Sequence, residues 1–161
     1  ARRFAPEGGG ERPCLTEDEA ENLAIRKGSL NNREVELMRD HVRATAGILR
    51  EVPFGKTRHL KSVALYAAQH HEKLNGRGYP DGIGADRLPL QSRILAVADF
   101  YEALSAKDRP YKKPMPADVI LKILRAAAKD GELDADVLEL MIEKGVHEKF
   151  EEEYEKSRGR K

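Results

Sequence analysis

A chain of 161 residues, 40% hydrophobic and 35% charged, is long enough to bury the core of one ordinary domain beneath a heavily charged surface. Its 29 basic and 28 acidic side chains leave a net charge of +1; non-specific binding to a nucleic-acid polymer needs a basic excess, so only a local phosphate site is left open. No apolar run approaches the ~20 residues that span a bilayer, the opening ARRFAPEGGGERP has no signal-peptide pattern, and the lone Cys14 excludes an internal disulfide framework and fits a reducing cytoplasm.

Residues 1–14 read as a polar leader, in which Cys14 is incidental. Thr16 followed by Glu19 forms a capping-box pattern that opens a short helix to about Arg26, closed by Gly28. Asn31 or Asn32 caps the next helix, where Val35, Met38, Val42, Thr45 and Leu49 recur at helical spacing until Pro53 and Gly55. A third helix runs from about Arg58 to His71, with Leu60, Val63, Ala64, Ala67 and Ala68 on its apolar side. Between Asn75 and Pro89 the density of Gly and Pro predicts an ordered loop. Leu90 to about Ala106 is apolar nearly all round and should be central. After a loop from Asp108 to Pro116 come helices Ala117–Lys129 and Asp134–Lys144, with Gly131 and Gly145 in stop positions. The charged stretch 148–161 reads as a solvated helix end that frays. No period-2 alternation and no repeat is present, so the fold class is all-α.

Four residues stand out for chemistry. His70 and His71 adjoin the glycine-rich loop; consecutive positions on a regular helix point about 100° apart, so the pair serves two neighbouring metals, or one metal with the helix end distorted. Asp99 lies in the most apolar helix, where a buried carboxylate needs either a metal or a cation such as Arg93 or Arg109. His41 shares the apolar side of Met38, as a ligand or as a hydrogen-bonded core histidine. Histidine and carboxylate together suit iron, manganese or zinc.

The run HHEKLNGRGYP, residues 70–80, resembles the signature of the HD-GYP family, metal-dependent phosphodiesterases of cyclic dinucleotides within the HD superfamily. SRILAVADFYEAL, DRPYKK and LMRDHVRATAGIL continue the likeness, which covers about Leu15 to Val146; residues 15–147 are thus read as the C-terminal part of an HD-GYP-like helical domain. The resemblance implies that His41, His70, His71 and Asp99 are metal ligands in a di- or trinuclear centre of iron or manganese, with zinc as the alternative. It implies a catalytic supporting role for Glu72, which would orient the histidine end of the site. Gly78, Tyr79 and Pro80 would line the substrate pocket, and Arg109 and Lys112 would contact a phosphate. Lys73, Arg77 and Lys113 read as solvated surface residues.

The implied reaction is hydrolysis of cyclic di-GMP in bacterial signalling, without a protein nucleophile. The family's His-Asp pair has no counterpart: the five histidines precede Val, Leu, His, Glu and Glu. The reading is therefore of a truncated, poorly active portion of a cytoplasmic protein with an upstream sensory or regulatory domain. Bare apolar faces would favour a homodimer. Asn75 stands where an aspartate is common, and Val42 where a proline is frequent. The alternatives are a non-catalytic HD-GYP-like module binding nucleotide or protein, and a metal-free helical interaction domain.

Overall fold

The computed structural model describes residues 3–4, 12–25, 28, 30–53, 60, 62–106 and 115–158. The chain divides into two units, Ala1–His41 and Val42–Lys161.

In the first unit, β1 (Arg3–Phe4) and β2 (Arg12–Pro13) pair antiparallel, Arg3 opposite Pro13 and Phe4 opposite Arg12. Everything else regular among the described residues is helical, as the sequence predicts. α1 (Glu17–Leu23) begins with the expected capping box: Glu19 N–H donates to the Thr16 hydroxyl at 3.2 Å, and Thr16 N–H donates to the Glu19 carboxylate at 2.8 Å. These bonds, the backbone one first, hold the Glu19 carboxyl below its ordinary range. α2 (Asn32–Arg39) repeats the device with Asn31 and Glu34, at 2.9 and 2.8 Å. The Asn31 amide also donates to Asn22 Oδ1 at 3.2 Å, tying the cap of α2 to α1.

The long helix expected up to Leu49 is broken at Asp40, and α3 (His41–Glu51) follows as a separate element. Asp40 keeps a right-handed backbone, φ −65° and ψ −16°, so no glycine or proline marks the break. The apolar period runs on through it, which is why sequence alone merges the two helices.

In the second unit, α4 (Val63–Gln69), α5 (Leu90–Ser105), α6 (Ala117–Lys129), α7 (Ala135–Glu143) and α8 (Val146–Arg158) follow in order. The core lies where α5, α6 and α7 meet. Ile120, Leu124 and Ala127 recur at i, i+4 and i+7 on α6 and are buried against Val97, Tyr101, Leu133 and Leu138. Each such large side chain contributes roughly 1.5–3 kcal/mol by leaving water. Asp134 caps α7 by accepting from the N–H groups of Asp136 and Val137 at 3.1 and 3.2 Å.

Two expectations change here. α5 packs on α4, α6 and α7, yet Leu90, Ile94 and Leu95 on its remaining side are 57, 47 and 41% exposed. The stretch from Glu148, expected to fray, is helical through Arg158. It is amphipathic at its start: His147 is buried, and Tyr101 Oη donates to Glu151 Oε1 at 2.6 Å.

Candidate metal centre

α4 stops at Gln69, two residues before the end the sequence indicates; His70 caps it and His71 lies in the turn beyond. The 100° separation of a regular helix therefore does not apply to the pair. Their ring centroids are 4.0 Å apart, tilted by 40°, and each ring offers a nitrogen within 4.8 Å of one on the other. The regular helix has thus ended before the pair.

His70 Nδ1 lies 2.6 Å from the Ala67 carbonyl oxygen. A carbonyl only accepts, so Nδ1 carries the hydrogen and Nε2 keeps the lone pair that a metal needs. His71 Nδ1 stands 3.6 Å from Asp99 Oδ2 on α5. Two donors about 2.0–2.2 Å from a shared ion lie roughly 3–3.5 Å from each other, so this spacing accommodates one with little movement. Two imidazoles and a carboxylate are also the donor types that iron, manganese and zinc accept. His70, His71, Tyr79, Asp99 and Phe100 line a small hollow of about 130 Å³.

The loop after His71 is folded back onto the histidines. Gly78 lies so close to the backbone of residues 71–73 that an added Cβ would stand 2.4 Å from Glu72 Cα, 2.5 Å from Lys73 N and 2.6 Å from His71 O. Only glycine permits that approach. It lets Tyr79 N–H donate to the His71 carbonyl at 3.2 Å and lays the Tyr79 ring on the His71 ring, centroids 4.7 Å apart at 32°. The Tyr79–Pro80 peptide is cis.

Glu72 takes a form the sequence does not predict. It is 3% exposed, and its carboxylate accepts from Asp81 N–H at 2.7 Å, Gly82 N–H at 3.2 Å and Ile83 N–H at 3.0 Å. These three bonds clamp residues 81–83 of the loop to the residue next to His71. The loop's other side is fixed to the α6–α7 turn. Asn75 N–H and side-chain amide donate to the carbonyls of Gly131 and Asp130 at 2.7 and 3.1 Å. Lys73, read as solvated, pairs with Glu132 at 2.7 Å and is about one-third exposed.

The structure thus brings His70, His71 and Asp99 together, with Tyr79 behind them. His41, in the N-terminal unit, has its Nδ1 2.5 Å from the Met38 carbonyl, which leaves Nε2 with the lone pair as in His70. Asp99 is not the deeply buried carboxylate expected: its side chain is 42% exposed, because the open side of α5 adjoins it. Arg93 is not its partner; it binds Asp134 at 3.1 Å and the carbonyls of Leu88 and Ala85. Arg109 and Lys112 lie outside the described residues. Sequence reading missed the buried pair Gln69 and Ser92, whose hydroxyl donates to Gln69 Oε1 at 2.7 Å and locks α4 to α5 beside His70. Nothing local in the sequence signals a bond across 23 positions.

The profile of the HD domain family matches residues 18–137. Over 98 residues, 60% of the chain, the sequence is 41% identical to the 3'3'-cGAMP-specific phosphodiesterase 3 of Vibrio cholerae, of which this region is 20%. It is 36% identical over 106 residues, 66% of the chain, to the cyclic di-GMP phosphodiesterase response regulator RpfG of Xanthomonas campestris, covering 27% of that protein. Over 61% of the chain it is 33% identical to a cyclic di-GMP phosphodiesterase of Thermotoga maritima, covering 26% of it. The chain therefore spans about a fifth to a quarter of the length of these relatives. Among the described residues no helix is long and apolar enough to cross a membrane.

Proposed function

Since the chain belongs to the HD domain family, we propose that it is the metal-binding part of a phosphodiesterase that opens cyclic dinucleotides, cyclic di-GMP among them, in bacterial signalling. The observation that carries this reading is the juxtaposition of His71 Nδ1 and Asp99 Oδ2 at 3.6 Å beside a His70 whose Nδ1 is already engaged. His70, His71 and Asp99 would hold the ion, with His41 as a further ligand on the strength of the sequence motif. Iron or manganese is the first choice and zinc the second. The names of the relatives, two of them cyclic di-GMP phosphodiesterases and one specific for 3'3'-cGAMP, support the substrate class. The response-regulator designation of one supports a place in cytoplasmic signal transduction.

A bound divalent ion supplies Lewis acidity and makes water a competent nucleophile at neutral pH. The chain's own residues prepare the place for it. The Ala67 carbonyl selects the His70 tautomer, the Tyr79 ring limits rotation of His71, and the Glu72 clamp keeps Tyr79 there. Arg109 and Lys112 are assigned to a substrate phosphate from the sequence alone.

The test is elemental mass spectrometry on the chain after loading with manganese or iron and desalting, beside His71→Ala and Asp99→Ala. Retention near one atom per chain or above, lost in either variant, is the expected result. Cyclic di-GMP should then bind the loaded chain and not the stripped one. Equal metal retention by all three proteins would overturn the assignment.

A further inference from the structure

The side of α5 left open by α4, α6 and α7 is patterned as well as apolar. Leu90, Ile94 and Ala98 stand at i, i+4 and i+8 along it, all exposed, with Leu95 on the flank. Such a row is a ridge of the kind that interdigitates with its own kind where two helices cross. The apolar surface continues beyond it. Leu95 and Ala98 line a hollow of about 570 Å³ together with Val146 and Phe150 of α8, and these two are also i, i+4 and about half exposed.

Contiguous exposed apolar surface marks a docking site, and the row says what docks there. Its ends differ in size: Leu90 is large and Ala98 small. A two-fold axis through Ile94 sets two copies of α5 antiparallel. Leu90 of each copy then lies level with Ala98 of the other, and Ile94 meets Ile94. A parallel pairing sets Ala98 against Ala98, which leaves a gap. It also brings together the two exposed Glu102 carboxylates, one turn beyond Ala98, where like charges repel. The row is therefore complementary to itself in one orientation.

We propose that this face is the seam of a homodimer, with α5 of one copy crossing α5 of the other antiparallel about Ile94. The inference goes beyond the metal reading and does not depend on it. Leu90, Ile94, Leu95, Val146 and Phe150, each about half exposed, offer on the order of 300 Å² of apolar surface per copy. Interfaces are about 60% apolar, so the full contact comes to roughly 1,000 Å², about the least that a specific interface buries. The pair is accordingly weak and reversible, and forms as the concentration rises. Ala98 precedes Asp99, and His70 and Asp99 also line the hollow. A second copy on this face thus covers an approach to the candidate metal centre.

The experiment is sedimentation velocity on the chain as purified, from about 5 to 500 μM, a range that brackets micromolar association. The weight-average coefficient should rise from monomer to dimer and no further, because an isologous contact closes on itself. Ile94→Glu sets two carboxylates across the axis and should weaken the dimer at least about tenfold. Ala98→Leu enlarges the apolar surface but fills the space left for Leu90, and should also weaken the dimer about tenfold. Ile48→Glu, at an exposed position on α3, should leave association unchanged. The three positions are exposed, so circular dichroism of each variant should match wild type. A chain that stays monomeric over the whole range overturns the proposal. Association as strong in Ile94→Glu as in the wild type does the same. So does association strengthened in Ala98→Leu, the result that non-specific contact between apolar surfaces produces.

Discussion

A methyl group at position 78 would have to share space with the backbone of His71, Glu72 and Lys73, at 2.4–2.6 Å. None of those atoms belongs to a flexible side-chain end, so the loop itself would have to lift. Gly78→Ala should therefore cost about 1–3 kcal/mol by overpacking, lose the Tyr79–His71 stack, and weaken metal retention. Thermal melts and metal titration read the two effects separately. Gly47 is the opposite case: it is helical in α3, and an added Cβ meets nothing within 4 Å. Gly47→Ala should stabilise by about 0.5–1 kcal/mol, through helix propensity alone. Tyr101 supplies a pH-dependent counterpart. Burial first, then the hydrogen bond and charge of Glu151, push its phenol well above its ordinary value. A group raised in this way adds stability that is present below its unfolded pKa of about 10 and is lost as the pH climbs toward the folded value. Ultraviolet titration should show a tyrosine ionising late, absent in Tyr101→Phe; loss of alkaline stability should be shallower in that variant. A variant whose alkaline melting curve overlays the wild type would show that α8 is not held through this bond.

At the level of elements, His70 and His71 directly follow α4, Asp99 lies on α5, and the two helices are joined by the buried Ser92–Gln69 hydrogen bond. Ser92→Ala leaves the Gln69 carbonyl oxygen buried and unpaired, at a cost of about 1–3 kcal/mol. Replacing both partners by apolar groups, Gln69→Leu with Ser92→Ala, should recover much of that loss, because neither site then buries an unmet polar atom. Melts of the two single variants and the double variant decide it; strict additivity would mean that the bond is not what couples the helices. Much of the element plan was legible beforehand for local reasons. Thr16, Asn31 and Asp134 each cap the helix that follows, and Gly131 and Gly145 adopt positive φ where helices stop. What escaped was non-local. Nothing within a turn of Asp40 announces that a helix ends there, whereas the end of α4 lies within two residues of the His71 that the sequence indicates. The Glu72 carboxylate likewise finds partners nine to eleven residues ahead, beyond the reach of any periodicity. Asp99 was correctly placed on the apolar helix, but its burial depended on what covers the side of α5 bearing Leu90 and Ile94.

At the scale of the whole chain, the main apolar cluster lies in α5, α6 and α7 with the turns between them, and α3, α4 and the loop before α5 add buried residues such as Val42, Ala64 and Leu88, whereas α1 and α2 contain no buried residue. Those two helices have seven and eight residues, shorter than the ~12–15 at which even good isolated helices become marginal in water. Their capping boxes are worth about 0.5–2 kcal/mol each, which offsets only part of the cost of ordering so few residues. Amide exchange should accordingly divide the chain. The slowest amides should be those of α6 and of α5 around Val97 and Tyr101, opening only with global unfolding, and α1 and α2 should exchange orders of magnitude faster. Metal binding adds a second, local pattern. An ion held by His70, His71 and Asp99 stabilises only conformations in which α4, α5 and the Glu72-clamped loop are formed, by RT ln(1 + [M]/Kd). Manganese should therefore slow exchange at Asp81, Gly82 and Ile83, whose N–H groups bind Glu72, and at Tyr79, whose N–H binds the His71 carbonyl. Uniform slowing along the chain would instead point to a general effect on global stability. No change at these four amides would separate the clamp from the metal centre altogether.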